Sequence, residues 1–369
     1  MAVILMTLSR LVSFIYLWVC IAGFIACRQR KPVVIRAYYY WQNSTTVAGE
    51  EKAFLRKHAV TKLYAKCLDI DWNSINHAYP LTITNVHHIA YGFSHYNDTL
   101  NAKVVPVVFM TNKTFLQIDS TEIPMLATHI LRKCIPGFDS LSIPEHGSYH
   151  YTVPEEVQFD CDWTITTEEK YFYFLRCVKA QLGARPVTIS ATIRLHQFKN
   201  PHLTGIPPAD RGMLMVYNIS RLTEYTPVNS IYDNEKAKPY FTRKKNYDLP
   251  LDIALPAYSW AIFFHHGKFS MIDNGLTRDS LENMSFLRRA PNGFYQVTAD
   301  TVLSGLYIRP GDEIKMEKIE EATLLQAAEM AGRAINTAAF SVALFDLSTP
   351  EIQNYRHETI EQVYTRFER

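Results

Sequence analysis

Two aspartates separated by one residue, Asp160 and Asp162, lie in an apolar stretch that is typical of a buried β-strand. Because side chains alternate along a strand, this spacing predicts that both carboxylates lie on the same face. Two neighbouring buried carboxylates are costly unless the site uses or neutralises them. The pair therefore indicates a pocket at the carboxyl end of a strand, or else a cap of the turn and helix that follow.

The elements that would position this pair form a repeating pattern. Eight short β-rich stretches, most of them followed by a helical pattern, run through the chain without a linker rich in Gly or Pro. This order predicts an α/β fold, a single (β/α)₈ TIM barrel over residues 36–369, with an insertion at about 265–317 before the last strand. A doubly wound sheet is the main alternative, but no GxGxxG or P-loop pattern follows a strand. The predicted strands are 36–42, 62–71, 104–110, 158–164, 187–197, 212–218, 251–260 and 341–347.

Charge and cysteine usage limit the range of functions. The 38 Lys and Arg residues nearly balance the 36 Asp and Glu residues, and the only basic run is at 243–245, so we expect no nucleic-acid partner. No CxxC spacing occurs. The two histidines of an adjacent pair in a strand point in opposite directions and cannot chelate one ion, so we expect neither a metal site nor a cofactor. The four cysteines outside the amino terminus are Cys67, Cys134, Cys161 and Cys177. We expect one disulfide among them or none.

The amino terminus has the character of a targeting segment. Residues 11–26 form an uncharged apolar stretch that ends with Ala26-Cys27, and its length lies between a signal-peptide core and a bilayer span. A small residue before a Cys at this place resembles the lipobox of bacterial lipoproteins. The resemblance implies a signal peptide over 1–26, a lipid on Cys27 and a tether over 27–35. An uncleaved membrane anchor is the alternative, and both place the remainder in the cell envelope, outside the cytoplasm.

Three of the predicted strands resemble the chitinase-like family-18 glycoside hydrolases. The fourth-strand hallmark of that family is Asp-x-x-Asp-x-Asp-x-Glu, and Asp160, Asp162 and Trp163 stand at matching places. The sixth-strand pattern Met-x-Tyr-Asp is approximated at 215–218 (MVYN), and the seventh-strand pattern Gly-x-Pro-apolar-Tyr at 254–258 (ALPAY). The chain also resembles a group of bacterial lipoprotein barrels with a similar fourth strand. These resemblances imply a barrel that acts on a carbohydrate.

The departures from the family pattern bear on catalysis. Thr164 stands where the family has its acidic Glu, Val157 replaces the first Asp, and Asn218 replaces the Asp after the Tyr. In the family, the Glu protonates the glycosidic oxygen while the neighbouring Asp steadies an intermediate formed by the substrate's acetamido group. A threonine hydroxyl is a very poor proton donor near neutral pH. We therefore do not expect the usual family chemistry. The alternatives for the missing acid are carboxylates of other strands: Asp69 and Asp71 at the end of the second, Asp252 in the seventh and Asp346 at the end of the eighth.

The resemblance and the strand parity together define the candidate residues. We expect catalytic roles for Asp160, Asp162 and Tyr217. The candidates for ligand binding are Asp69, Asp71, Trp163, Arg194, Asn218, Tyr258 and Trp260. Structural roles are the alternatives: turn caps for the aspartates, an ion pair for the arginine, and packing for the aromatic residues.

Two functions follow from these observations. The first is a lipid-anchored glycoside hydrolase-like barrel that acts on or binds a glycan at the carboxyl end of the strands. The second is a non-catalytic barrel of the cell envelope that binds a glycan or a protein, which the Thr at 164 and the Asn at 218 favour. In both cases we expect the lipid on Cys27 to attach the protein to a membrane.

The lipid anchor is testable by metabolic labelling with a fatty acid. We expect label on the wild-type chain and none on Cys27→Ser, because acylation needs the thiol of that residue. Labelling that survives Cys27→Ser, or a wild-type chain without label, would contradict the lipoprotein interpretation.

Overall fold

The computed structural model describes residues 31–94, 100–139, 153–242 and 247–368. The predicted signal peptide, the lipid site at Cys27, the first part of the tether and the basic run at 243–245 lie outside the described residues. Within the described part of the chain, no helix has both the length and the apolar character needed to span a membrane.

The strands are numbered in chain order. They are β1 Val33–Tyr40, β2 Lys62–Asn73, β3 His77–Ile83, β4 Lys103–Met110, β5 Glu156–Asp160, β6 Thr188–Arg194, β7 Arg211–Met215, β8 Leu251–Pro256, β9 Ser259–His265, β10 Lys268–Asp273, β11 Leu287–Arg289, β12 Tyr295–Val297, β13 Thr301–Leu303, β14 Leu306–Ile308, β15 Asp312–Lys318 and β16 Ala339–Phe345.

The helices are numbered in the same way. They are α1 Gly49–Lys57, α2 Val86–Ser94, α3 Asn112–Gln117, α4 Ile123–Cys134, α5 Glu168–Leu182, α6 Leu195–Lys199, α7 Pro201–Thr204, α8 Asn234–Phe241, α9 Arg278–Glu282, α10 Glu321–Ala331, α11 Thr349–Ile352 and α12 His357–Thr365.

Eight parallel strands close into a barrel. The order around the ring is β1, β2, β4, β5, β6, β7, β8 and β16, and β16 pairs with β1 to complete it. Each of the eight predicted strands coincides with one of these, so the predicted (β/α)₈ barrel is confirmed. Helices follow most ring strands and cover their outer faces, which explains why the strands are apolar on both sides. β3 lies outside the ring and pairs antiparallel with β2.

An insertion separates β8 from β16, as predicted. Five of its strands form an antiparallel sheet in the order β10, β9, β15, β12 and β11, and β13 pairs with β14 in a hairpin. The sheet has its own small apolar core around Phe263 and Ile314. Its first strand already begins at Ser259, and Trp260 therefore belongs to the insertion. The prediction that Trp260 lies in the seventh barrel strand is therefore wrong, because the apolar run continues past the turn after Pro256 into a second sheet.

β5 presents polar side chains to the barrel interior at every second residue. Glu156, Gln158 and Asp160 are all buried. Tyr39 Oη on β1 donates a 2.6 Å hydrogen bond to Gln158 Oε1 in the middle of the barrel. Buried polar groups of this kind need partners because water does not reach them. The stack therefore links β5 to the strands across the interior.

Ion pairs fill the amino-terminal end of the barrel. Lys62 Nζ lies 2.6 Å from Glu156 Oε2. Arg211 donates to both oxygens of Asp252, at 2.8 and 2.7 Å. The sequence also offered Asp252 as a carboxylate for the barrel mouth, but its side chain lies near the start of β8, at the other end of the barrel. The four cysteines Cys67, Cys134, Cys161 and Cys177 are free thiols.

The buried pair of Arg211 and Asp252 is expected to stabilise the fold. Arg211→Ala leaves the fully buried carboxylate without its partner, and we expect the free energy of unfolding to fall by about 3–5 kcal/mol. Chemical denaturation at neutral pH measures this loss. The matched control is Lys103→Ala, because Lys103 and Glu155 form an exposed ion pair at the same end of the barrel. That pair is worth less than about 1 kcal/mol, and equal losses in the two variants would contradict the assignment.

Candidate functional site

A cavity of about 460 Å³ opens at the carboxyl end of the barrel, and we call it the mouth pocket. Residues at or just after the ends of β1, β4, β5, β6, β7, β8 and β16 contribute to it, together with the insertion and the segment around α11. Ligands of TIM barrels bind at this end. The lining consists of Trp41, Gln42, Phe109, Asp160, Arg194, Met215, Tyr217, Asn218, Tyr258, Ser259, Trp260, Asn274, Gly275, Phe345, Asp346, Ser348, Pro350 and Glu351.

Asp160 is the last residue of β5 and reaches the mouth pocket from the barrel wall. Its side chain is buried, and Thr192 Oγ1 on β6 donates a 2.7 Å hydrogen bond to its Oδ1. Burial, and next the negative charge of Asp162, raise the pKa of Asp160 to about 6, while Arg194 and Thr192 act in the opposite direction. A carboxyl of this kind exchanges a proton near neutral pH, as an acid or base in catalysis must.

Asp162 lies just beyond the strand rather than within it. β5 ends at Asp160, and the side chain of Asp162 is 46% exposed. Both of its oxygens accept hydrogen bonds from Arg194, through Nε and Nη2. The expectation of two carboxylates on one buried face is therefore wrong for Asp162. The structure gives this residue an ion pair at the edge of the site, since it does not line the mouth pocket.

Two hydrogen-bond donors in the mouth pocket have no partner within the described chain. Nη1 of Arg194 is buried and unpaired, because Nε and Nη2 alone hold Asp162. The hydroxyl of Tyr217 is also buried and unpaired, and burial raises the pKa of Tyr217 well above its usual range, so the hydroxyl keeps its proton. Other unpaired buried tyrosine hydroxyls lie outside the pocket. Unpaired buried donors are uncommon, and in a pocket they are suited to an acceptor atom on a ligand.

Aromatic rings form one wall of the mouth pocket. The rings of Tyr217 and Tyr258 lie 5.9 Å apart, and those of Tyr258 and Phe345 lie 5.3 Å apart, each pair close to edge-on. Tyr258 Oη donates a 2.7 Å hydrogen bond to Asn218 Oδ1. Asn218 has a φ of 54°, a left-handed conformation that Asn tolerates better than most residues. The Asn that departs from the family pattern therefore fixes the tyrosine at the rim.

Trp260 reaches the mouth pocket from the insertion. Its ring lies 5.3 Å from that of Tyr258, and its indole N–H donates a 2.8 Å hydrogen bond to Glu317 Oε2. Glu317 is itself buried and paired with Lys315 on the same strand, β15. The insertion is thus attached to the barrel at the pocket, and it contributes an aromatic side chain whose orientation is fixed.

Asp346 is a pocket residue that the sequence analysis named only as an alternative carboxylate. It follows the end of β16, where the peptide bond between Phe345 and Asp346 is cis. Burial, and then the charges of Glu351 and Glu51, raise its pKa to about 7. Its position at the end of the eighth barrel strand was the available signal.

Three of the expected ligand-binding residues lie outside the mouth pocket. Trp163 is fully buried, stacks on Tyr171 of α5 at 5.4 Å, and donates a 2.7 Å hydrogen bond to the carbonyl of Thr204. The structure therefore gives Trp163 the packing role that was the alternative to ligand binding: it lies beyond the end of β5 and packs against the helices.

The aspartates of β2 are held by nearby side chains of β2, β3 and the start of α3. Asp69 pairs with Lys66 at 3.1 Å and accepts a hydrogen bond from Thr82 on β3. Asp71 accepts a 2.7 Å hydrogen bond from the hydroxyl of Thr111, which lowers its pKa. Both carboxylates are satisfied by these contacts. The structure thus favours the structural alternative for this pair.

Thr164, at the place of the family's acid, is exposed. It forms hydrogen bonds with Thr166 and Thr167 at the start of the turn before α5, and it does not line the mouth pocket.

One group of side chains in the described residues has atoms close enough to hold a metal ion. His58, His357 and Glu361 place one ligand atom each within 4.8 Å of one another. Arg36 Nη1 lies 2.8 Å from Glu361 Oε2 and pairs with it, and both ring nitrogens of His58 form hydrogen bonds. None of the three lines the mouth pocket. The contacts describe a closed hydrogen-bond chain between β1, α1 and α12.

The barrel is similar to solved chitinase structures. No protein-family model and no curated protein sequence matches the chain. A variant of catalytic domain 2 of the group II chitinase of Ostrinia furnacalis, in complex with (NAG)₅, superposes with a TM-score of 0.50 at 10% identity, over 89% of this chain and 95% of that one. The fold is that of a chitinase-like barrel. At this identity the likeness concerns the fold alone, and it confirms the resemblance expected from the strand motifs at that level.

Two further structures match over most of the chain. The spore cortex-lytic enzyme SleL of Bacillus cereus has a TM-score of 0.49 at 14% identity, over 91% of this chain and 75% of that one. A chitinase of Chromobacterium violaceum has a TM-score of 0.49 at 9% identity, over 91% of this chain and all of that one, 100%.

The raised pKa of Asp160 is directly measurable. We expect its carboxyl carbon to titrate by NMR with a midpoint near pH 6. Asp162→Asn removes the negative charge beside it and frees the charge of Arg194, and both changes favour the ionised form, so the midpoint should move toward the ordinary value near 4. A midpoint that stays near 6 in Asp162→Asn would contradict this account of the site. Asp119→Asn, an exposed aspartate at the end of α3, is the control and should leave the midpoint unchanged.

Proposed function

We propose that the mouth pocket binds a glycan, and that this binding is the function of the barrel. The observation that carries the proposal is the combination of an aromatic wall with two buried, unpaired donors, Tyr217 Oη and Arg194 Nη1. Faces of aromatic rings pack against the apolar faces of sugar rings, while hydroxyl and acetamido oxygens accept hydrogen bonds. The pocket volume of about 460 Å³ is within the range of small-ligand sites, about 300–1,000 Å³.

Oligomers of N-acetylhexosamine are the first ligands to examine. The Ostrinia furnacalis domain of similar fold was solved in complex with (NAG)₅. An acetamido oxygen is a neutral acceptor, and it suits a pocket in which the charge of Arg194 is already balanced by Asp162. Asp160 and Asp346 add carboxyls to the same pocket, so a neutral sugar is favoured over an acidic one.

The family's usual mechanism is not part of the proposal. Thr164 is exposed and outside the mouth pocket, and Asp162 is held by two hydrogen bonds from Arg194. The place of the family's acid thus holds no acid, and the place of its supporting aspartate holds a residue that is paired with an arginine. These contacts favour glycan binding without family-type turnover, and glycan binding is common to both functions that follow from the sequence.

We also propose that the barrel is held at a membrane, in the cell envelope, by a lipid on Cys27. The support is the apolar segment that ends with Ala26-Cys27. The fatty-acid labelling of Cys27→Ser described above tests this part of the proposal independently of the pocket.

Binding is tested by titrating the purified full-length chain in detergent with N-acetylhexosamine oligomers and a glycan panel in a calorimeter. Tyr217→Phe removes one donor from the pocket, and we expect the Kd to rise about 5- to 15-fold, the value of one hydrogen bond. The matched control is Tyr232→Phe, because the hydroxyl of Tyr232 is also buried and unpaired but lies outside the pocket.

Equal affinities of Tyr217→Phe and the wild-type chain would contradict the assigned contact. A chain that binds no glycan of the panel would contradict the proposed function.

A further inference from the structure

Two carboxyl groups line the mouth pocket from opposite strands of the ring. Asp160 ends β5 and Asp346 follows β16, and both line the cavity. In the ring, β16 is separated from β5 by β1, β2 and β4, so the two strands are four places apart in a ring of eight. The two side chains therefore approach a bound ligand from opposite sides of the barrel.

Asp346 carries a carboxyl that lacks a cationic partner. Its Oδ2 has a weak contact with Gln42 Nε2 at 3.5 Å, and within the described chain no Lys, Arg or His lies within ion-pair distance of it. Glu351, whose carboxylate is held by Ser259 and Asn354, adds a negative charge nearby. A half-buried carboxyl without a cation and beside another carboxylate favours its protonated form. Near neutral pH it is therefore able to donate a proton into the pocket.

Asp160 is in a different environment. It accepts a hydrogen bond from Thr192, and the positive charge of Arg194 acts on it. Both interactions favour the ionised form, and they are absent from Asp346. Where two carboxyls differ in this way, the one with the lower pKa serves as the base and the other as the acid.

We propose that Asp346 is the general acid and Asp160 the general base of a glycosidic-bond hydrolysis that inverts the anomeric carbon. The inference rests on the proposed function, since it assumes that a glycan occupies the mouth pocket. It assigns the missing acid to the opposite side of the barrel from Thr164.

The reaction consumes one water molecule. Asp346 gives its proton to the glycosidic oxygen as the bond from that oxygen to the anomeric carbon breaks, and the electron pair of the bond goes to the oxygen. Asp160 takes a proton from a water molecule whose oxygen forms the new bond to the anomeric carbon on the opposite face. The proton gained by Asp160 then returns to Asp346 through solvent, which restores both groups. Inverting enzymes place their carboxyls roughly 6.5–9.5 Å apart to admit this water, and opposite strands of a barrel suit that wider spacing.

The charged groups around each carboxyl set the pH dependence. Glu351 on α11 and Glu51 on α1 face Asp346, together with Tyr258 at the rim. Asp162 and Arg194 act on Asp160, with a smaller contribution from Asp69 on β2 and with the hydroxyls of Tyr39 and Tyr217 close by. Turnover needs Asp160 ionised and Asp346 protonated. The rate should therefore rise with pH through about 6 and fall above about 7.

The first experiment compares Asp346→Asn and Asp160→Asn in the full-length chain. On an N-acetylhexosamine oligomer, we expect each variant to lower kcat by about 100- to 10,000-fold. The Kd of the oligomer should stay close to the wild-type value, because both amides keep the shape of the pocket. Asp119→Asn, which removes an exposed carboxylate outside the pocket, is the matched control and should turn over like the wild-type chain.

A second substrate separates an acid from a merely structural residue. A dinitrophenyl glycoside has a leaving group that departs without protonation. The kcat of Asp346→Asn on this substrate should therefore return most of the way to the wild-type value. Asp160→Asn should remain impaired on both substrates, because the water must still be activated. Proton NMR of the first product released by the wild-type chain should show the inverted anomer.

The outcomes separate the two proposals. Oligomer binding without turnover by the wild-type chain overturns the assignment of Asp346 and leaves the proposed function intact. Turnover that survives Asp346→Asn, or a product that retains its configuration, also overturns it. A wild-type chain that binds no glycan overturns the proposed function, and the inference with it.

Discussion

Closure of the barrel obliges the inward side chains of every ring strand to find partners inside a space that water does not reach. β5 makes this demand most strongly, because Glu156, Gln158 and Asp160 all point inward and are all buried. The first two are satisfied by the lysine of β2 and the tyrosine of β1, at 2.6 Å each. Among the residues that the structure describes, Asp160, at the top of the stack, has a close hydrogen bond from the hydroxyl of Thr192 alone. The polar stack that supports the fold therefore ends in a carboxyl that is available to a ligand.

The pair formed by Arg194 and Asp162 organises the rest of the mouth. Because two nitrogens of the guanidinium hold Asp162, the third is left without an acceptor among the described residues, as is the hydroxyl of Tyr217, and both residues line the pocket. The same pair takes Asp162 away from the role that its place in the family motif would give it. Whereas the family concentrates its acid and its supporting aspartate on one strand, this chain distributes carboxyls over two opposite strands, with Asp346 on the far side. The pocket thus holds two carboxyls although the position of the family's glutamate is occupied by Thr164.

The barrel could be predicted from the sequence because the ring strands are short apolar runs and most of them are followed by a helical pattern, and both are local signals. The limits of the prediction have physical causes. Trp260 was assigned to a barrel strand because an apolar run does not reveal that the chain turns after Pro256 and enters a second sheet. Trp163 lies among the helices, stacked on Tyr171, because β5 ends at Asp160 and the alternation of a strand no longer holds at residue 163. Asp346 stayed an alternative because its significance depends on which strand lies opposite β5, and ring order is a long-range property that no local pattern contains.

The central claim is that a sugar lies between β5 and β16 at the mouth of the barrel. A crystal structure of the chain with a bound N-acetylhexosamine oligomer tests it most directly. We predict a sugar ring against Tyr258 and Phe345, an acceptor oxygen within hydrogen-bond distance of both Tyr217 Oη and Arg194 Nη1, and the carboxyls of Asp160 and Asp346 on opposite sides of one glycosidic bond. An oligomer bound elsewhere, with both donors still unpaired, would contradict the account.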